Sequence, residues 1–97
     1  MDYKLIWSPQ AIEDVEAIAE YIARDSTVYA ESTIERIFQA SERLAQFPKL
    51  GRVVPERNDE FIREIFVFQY RIIYKIVASE IHILTVVHGK RITEDLI

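Results

Sequence analysis

Residues 61–88, FIREIFVFQYRIIYKIVASEIHILTVVH, decide the fold. They are rich in Ile, Val, Tyr and Phe, the side chains that suit a pleated, half-buried surface. Turn signals interrupt them near Phe68-Gln69 and at Ala78-Ser79-Glu80. This punctuation predicts three strands, at about 61–67, 69–77 and 80–88, joined by connections short enough to require antiparallel hairpins. In the middle strand Tyr70, Ile72, Tyr74 and Ile76 point one way, while Arg71, Ile73 and Lys75 point the other. One face of this meander is therefore apolar and needs cover. The other is mixed and is expected to stay partly open, displaying Arg71 and Lys75. The third strand is apolar on both sides, which suits an internal position. Gly89 follows it and is expected to adopt a positive φ, turning the chain sharply where His88, Lys90 and Arg91 leave the sheet.

The cover for the apolar face lies upstream. Residues 2–7, DYKLIW, read as a short strand, and Ser8-Pro9 then supplies an N-cap and a proline at the first helical position. Ile12, Val15, Ile18, Ala19 and Ile22 recur at helical spacing, with Glu13, Asp14, Glu16 and Glu20 placed toward solvent. Asp25-Ser26-Thr27 breaks the period and offers new caps. Ala30, Ile34, Ile37, Phe38, Ser41, Leu44 and Ala45 then form a second stripe, which Pro48 ends. GRVVPERNDE, residues 51–60, reads as a loop. The predicted class is α+β: an N-terminal strand, a two-helix hairpin and a three-stranded antiparallel meander, with the helices packed on one face of a single sheet.

A chain of 97 residues has room for one domain, expected over 1–97. Its 49% hydrophobic and 29% charged residues are ordinary for a folded globular protein. With no cysteine there is no disulfide framework, thiolate metal site or cysteine nucleophile. The N-terminus lacks a basic region followed by an apolar stretch, and no apolar run approaches the ~20 residues that span a bilayer, so a cytoplasmic protein without membrane contact is expected. The net charge of −4 argues against broad coating of nucleic acid, but it is uneven: residues 1–60 carry −5 and residues 61–97 carry +1. His82 and His88 stand six residues apart on one strand, about 20 Å at ~3.3 Å per residue, too far to share a metal. Phosphate-binding glycine loops and the GxSxG and HExxH patterns are absent, so no metal or cofactor is expected. The candidates left are cationic: Arg63, Arg71, Lys75, Lys90 and Arg91, with His88, suited to a phosphate or a partner's carboxylates. Arg71 stands out because a cation inside a dense apolar segment needs a partner or an open groove. Arg63 and Lys75 also fit a plain solvated surface, and His88 a strand-end hydrogen bond.

The order of elements, together with FPKLGRVVPE after the second helix, YRIIYKI in the middle strand and VVHGKR at the last strand's exit, resembles the RelE/ParE toxin family over nearly the whole chain. The resemblance implies a toxin of a bacterial type II toxin-antitoxin, plasmid-stabilisation-like system, held inactive by a cognate antitoxin. RelE-like members cut messenger RNA on the ribosome with basic residues. Arg71 and Arg91 match two of these, whereas Ile62 and Glu64 stand where lysines are expected, and the chain ends in Leu96-Ile97 where a tyrosine often lies. Under that alternative, an endoribonuclease, Glu64 would act as base and His88 as acid beside Arg71 and Arg91. HGKR and GRVVPE resemble the ParE-like branch more closely, which implies binding to DNA gyrase without chemistry of the toxin's own. A third reading is an antitoxin-binding domain without toxicity. The antitoxin is expected on the mixed face and the helix pair, with acids meeting Arg63, Arg71, Lys75 or Arg91.

Overall fold

The computed structural model describes residues 2–90. Its elements run β1 (Lys4–Trp7), α1 (Pro9–Ala23), α2 (Thr27–Gln46), β2 (Arg52–Val53), β3 (Ile62–Val67), β4 (Tyr70–Val77) and β5 (Glu80–His88). The strands form one sheet in the order β1-β5-β4-β3-β2. The meander is antiparallel as expected. Its two tight turns place Phe68 and Ala78 in the left-handed region, each with φ 54°, a conformation that costs a non-glycine residue a little but matches the twist of a two-residue hairpin. β5 is internal, and β1 joins its far side in parallel, from Lys4 opposite Glu80 to Trp7 opposite Ile83. The helix pair is long enough to serve as the crossover that parallel pairing requires.

Several expectations are corrected. GRVVPERNDE is not all loop: Arg52 and Val53 pair with Glu64 and Arg63 as a two-residue edge strand, too short to leave any period in the sequence. Between β4 and β5 the register slips, since Ile73 faces Thr85 but Tyr74 faces Ile83, leaving Leu84 as the extra residue of a bulge. On α1 Ile12 is 48% exposed, and Ala11 takes the buried position instead. Asp14 does not face solvent freely. Its Oδ2 accepts from Thr85 Oγ1 at 2.5 Å and from the Val86 amide at 3.0 Å, clasping α1 to β5.

The helix ends follow their caps. Ser8 Oγ accepts from the Ala11 amide and donates to the Leu84 carbonyl, so one side chain starts α1 and ties it to β5. Ser26 caps α2 through the Tyr29 amide, and the helix stops at Gln46, two residues before Pro48. Both helices cover the sheet face that carries Tyr70, Ile72 and Tyr74, burying Ala11, Val15, Ile22, Ile37 and Leu44 against it. The opposite face is not bare: Val54, Ile62, Ile73 and Val87 form a second, smaller apolar cluster there. Neither helix is long and apolar enough to cross a membrane.

Tyr74 joins the two ends of this architecture. Its ring is fully buried, and its hydroxyl donates to the Pro48 carbonyl at 2.6 Å and accepts from the Gly51 amide at 3.0 Å, pinning the α2–β2 connection onto β4. Gly51 must be glycine because an added Cβ would lie 2.4 Å from the Glu64 carbonyl oxygen. Burial is the main cause that raises the Tyr74 pKa, opposed by the Gly51 hydrogen bond and then by the charge of Arg63. Burial also raises that of Tyr70, with Tyr21 and Tyr29 adding to the rise. The folded chain thus holds these protons more tightly than the unfolded chain, and between the two pKa values the unfolded state carries fewer protons. The unfolding free energy should accordingly stay level below the ordinary tyrosine value of 10.0 and fall as pH rises through the raised values. Tyr74→Phe should lower stability at neutral pH by about 1–3 kcal/mol, by stranding the Pro48 and Gly51 groups, and should flatten the alkaline fall. Urea unfolding of both proteins between neutral and strongly alkaline pH measures both effects.

Candidate functional site

The mixed face of the sheet carries a buried ionic cluster. Strand alternation on β3 turns Glu64 to the same side as Ile62, and across the ladder Arg71 of β4 lies on that side as well. Glu64 is 1% exposed and Arg71 4% exposed, both surrounded by the second apolar cluster. Arg71 Nε donates to Glu64 Oε1 at 2.7 Å, and Arg71 Nη2 also contacts that oxygen closely. The remaining fork goes to Glu56, with Nη1 to Oε2 at 2.9 Å and Nη2 to Oε1 at 3.0 Å. The other Glu64 oxygen accepts from Arg52 Nε at 2.7 Å. Among the described residues, two guanidinium groups and two carboxylates meet here, and both oxygens of Glu64 are engaged. The hydrogen bonds to Glu56 push the Arg71 pKa above its usual value against the opposing effect of burial, and Glu64 adds to the rise.

This arrangement corrects the expectation that Arg71 is displayed. A cation in this apolar segment has taken the other route, a set of carboxylate partners. Lys75 is exposed on the same face, opposite Ile62 on one side and His82 on the other. Arg63 is half-buried and turns back on its own loop, donating from Nε to the Glu60 carbonyl and from Nη1 to the Gly51 carbonyl. Lys90 is exposed, and its amide donates to His88 Nδ1 at 3.3 Å. Arg91 lies outside the described residues.

The acid–base pair expected of Glu64 and His88 does not assemble. His88 pairs with Tyr70 and meets its ring edge-on at 6.2 Å, which puts it on the helix-covered side of the sheet, away from Glu64 and Arg71. The bulge at Leu84 is the cause of a further separation: His82 shares the mixed face with Lys75, whereas His88 does not. Both carboxylate oxygens of Glu64 are instead occupied by arginine hydrogen bonds in a buried site. Gly89 has no positive φ. It is glycine because a Cβ there would lie 3.1 Å from both the Gln69 carbonyl oxygen and Phe66 Cε2, as its own amide reaches that carbonyl at 2.6 Å.

Two members of the cluster, Arg52 and Glu56, were not singled out by sequence. They sit in the irregular segment before β3, where no period marks them. The one signal that points to them is indirect: a buried arginine demands more acceptors than Glu64 alone supplies.

Comparison with known proteins places these observations in context. Residues 5–93 match the profile of the ParE toxin of the type II toxin-antitoxin system parDE. Toxin RelE2 of Caulobacter vibrioides is 29% identical over 90 residues, spanning 92% of this chain and 98% of the relative. Among solved structures, the chromosomal ParDE toxin-antitoxin system of P. aeruginosa aligns with a TM-score of 0.76 at 20% identity, over 91% of this chain and 97% of that one. A mutant of the E. coli toxin RelE in the free state aligns with a TM-score of 0.67 at 14% identity, over 93% of this chain and 86% of that one. At these identities the structural matches speak for the fold.

The cluster makes a sharp prediction about stability. Arg71→Met leaves Glu64 buried beside Arg52 alone and should cost roughly 3–5 kcal/mol. Adding Glu64→Leu should recover most of that loss, since an apolar pair suits the cluster of Val54, Ile62, Ile73 and Val87. Denaturant midpoints of the two single variants and the double variant test this. Strictly additive losses would show that the two groups do not act as a buried pair.

Proposed function

This chain belongs to the ParE toxin family of type II toxin-antitoxin systems, within the RelE/ParE superfamily, and from that premise we propose that it acts by binding DNA gyrase rather than by cutting RNA. The observation that carries this reading is the buried ionic cluster. Cleavage of RNA by 2′-hydroxyl attack needs a base, an acid and positive charge on the developing phosphorane. Among the described residues Arg71 donates to the carboxylates of Glu56 and Glu64, Glu64 accepts from two arginines, and the histidine that would serve as acid is on the other side of the sheet. A phosphate would have to displace two carboxylates to reach Arg71. A binding mechanism asks nothing of these groups beyond a rigid surface.

In this reading the toxin engages gyrase and holds a cleaved DNA intermediate, and a cognate antitoxin neutralises it by covering part of its surface. The exposed cations Lys75 and Lys90 and the half-exposed apolar side chains of the helix pair are suited to that cover. The family match supports an antitoxin partner, and the ParDE system of P. aeruginosa shares the fold.

Purified protein added to gyrase and relaxed plasmid should block supercoiling and accumulate cleaved plasmid, and addition to a translating extract should leave transcripts intact. Transcript cuts that disappear in Arg71→Ala, with gyrase unaffected at large excess, would instead establish the ribonuclease. Unchanged growth on expression of soluble, folded protein would leave only the antitoxin-binding role.

A further inference from the structure

A second cationic surface lies beside the buried cluster, where α2 runs along the outer edge of β3. Arg36 and Arg43 occupy α2 two turns apart, with the small Ala40 between them, and both are exposed. Neither makes an ion pair among the described residues. The guanidinium of Arg36 sits 5.5 Å from the centre of the Phe68 ring, and that of Arg52 sits 5.5 Å from the Phe66 ring. Phe66, Phe68 and Tyr29 are each about half exposed, and Tyr29 and Phe68 meet at 6.3 Å. Two depressions of about 320 and 380 Å³ run between the three arginines, Phe66 and Phe68 and share Ala40, Arg43 and Phe66, while Tyr29 lines neither and flanks them through its contact with Phe68. The one carboxylate in their walls is Glu64, which is buried and already paired. Of the three acids of α2, Glu31 and Glu35 border the cleft between the two helices, and Glu42, next to Arg43 in sequence, lines neither depression.

We infer that this groove, built from Arg36, Arg43 and Arg52 with the rings of Phe66, Phe68 and Tyr29, binds single-stranded nucleic acid. Three features favour that ligand. Seven residues of helix separate Arg36 from Arg43 by roughly 10 Å, too far for one phosphate and about the rise of three nucleotides at ~3.4 Å each. The half-exposed rings, interleaved with guanidinium groups, offer stacking planes for bases of any sequence. An acidic peptide would use the arginines but would gain little from three flat aromatic faces. The three arginines gather positive charge locally on a chain whose net charge is −4. This binding goes beyond inhibition of gyrase and does not depend on it, because it asks for neither gyrase nor ribosome.

The test is fluorescence anisotropy of a labelled 12-nucleotide single-stranded DNA of mixed sequence, titrated with the whole chain at 50 and 200 mM salt. Saturable binding is expected. Arg36 and Arg43, the two arginines of the groove not already paired with a carboxylate, predict a slope of about −1.4 in log K against log salt, a loss of roughly sevenfold across that range. The double variant R36E/R43E should weaken binding at least tenfold, and Phe68→Ala at least fivefold, with circular dichroism confirming that each is folded. Lys75→Glu, on the mixed face of the sheet, should change affinity less than twofold. Absence of saturable binding at 50 mM salt overturns the inference, and so does binding that R36E/R43E leaves intact. A labelled oligoglutamate that binds as tightly as the oligonucleotide also overturns it, assigning the groove to an acidic protein segment.

Discussion

A carboxylate without access to water organises one whole side of this molecule. Glu64 is forced inward by the alternation of β3, because Ile62 on the same side must join the apolar cluster with Ile73 and Val87. Once there, its charge must be met within a hydrogen bond's reach. Arg71 meets it from β4 and Arg52 from β2, so the short edge strand is held by an ionic contact as well as by two residue pairs. Arg71 then has donors to spare, and these fix Glu56 in the segment before β3. The close approach of Gly51 to the Glu64 carbonyl leaves no room for this segment to shift. The irregular part of the chain is thereby as determined as the strands it borders.

The local signals in the sequence were legible where they are satisfied locally. The caps Ser8 and Ser26, the stop before Pro48, both hairpin turns and the division of β4 into an apolar side and a mixed side are all read from neighbours within a few residues. Features that depend on partners distant in sequence were not. β2 exists because β3 is beside it, the Leu84 bulge reverses the side on which His88 would otherwise fall, and Asp14 looks like one more solvent-facing acid until Thr85 and Val86 arrive against it. The same reason separates the parts of the candidate site. That Arg71 needs company is visible in YRIIYKI, but Arg52 and Glu56 are named only by the folded chain. The turn at Gly89 is legible in VVHGKR, whereas the reason it is glycine, a close approach without a positive φ, is not.

The fold is shared by toxins of this superfamily, and a fold alone does not choose a reaction. In this chain Glu64 and Arg71 on the mixed face are buried and paired, while Lys75 of β4 is exposed beside them.

The clasp made by Asp14 has a meaning for the chain's solubility. β1 ends at Trp7, so β5 runs on from Leu84 to His88 with no strand on that side among the described residues, apolar along much of its length. Such a rim is a template on which a second molecule's strand could zip. Placing a carboxylate on the Val86 amide fills a ladder position with a group that no incoming strand can imitate, and surrounds the next positions with negative charge. Asp14 thus occupies, from a helix, an amide that an added strand would need at the place where the sheet runs out of strands.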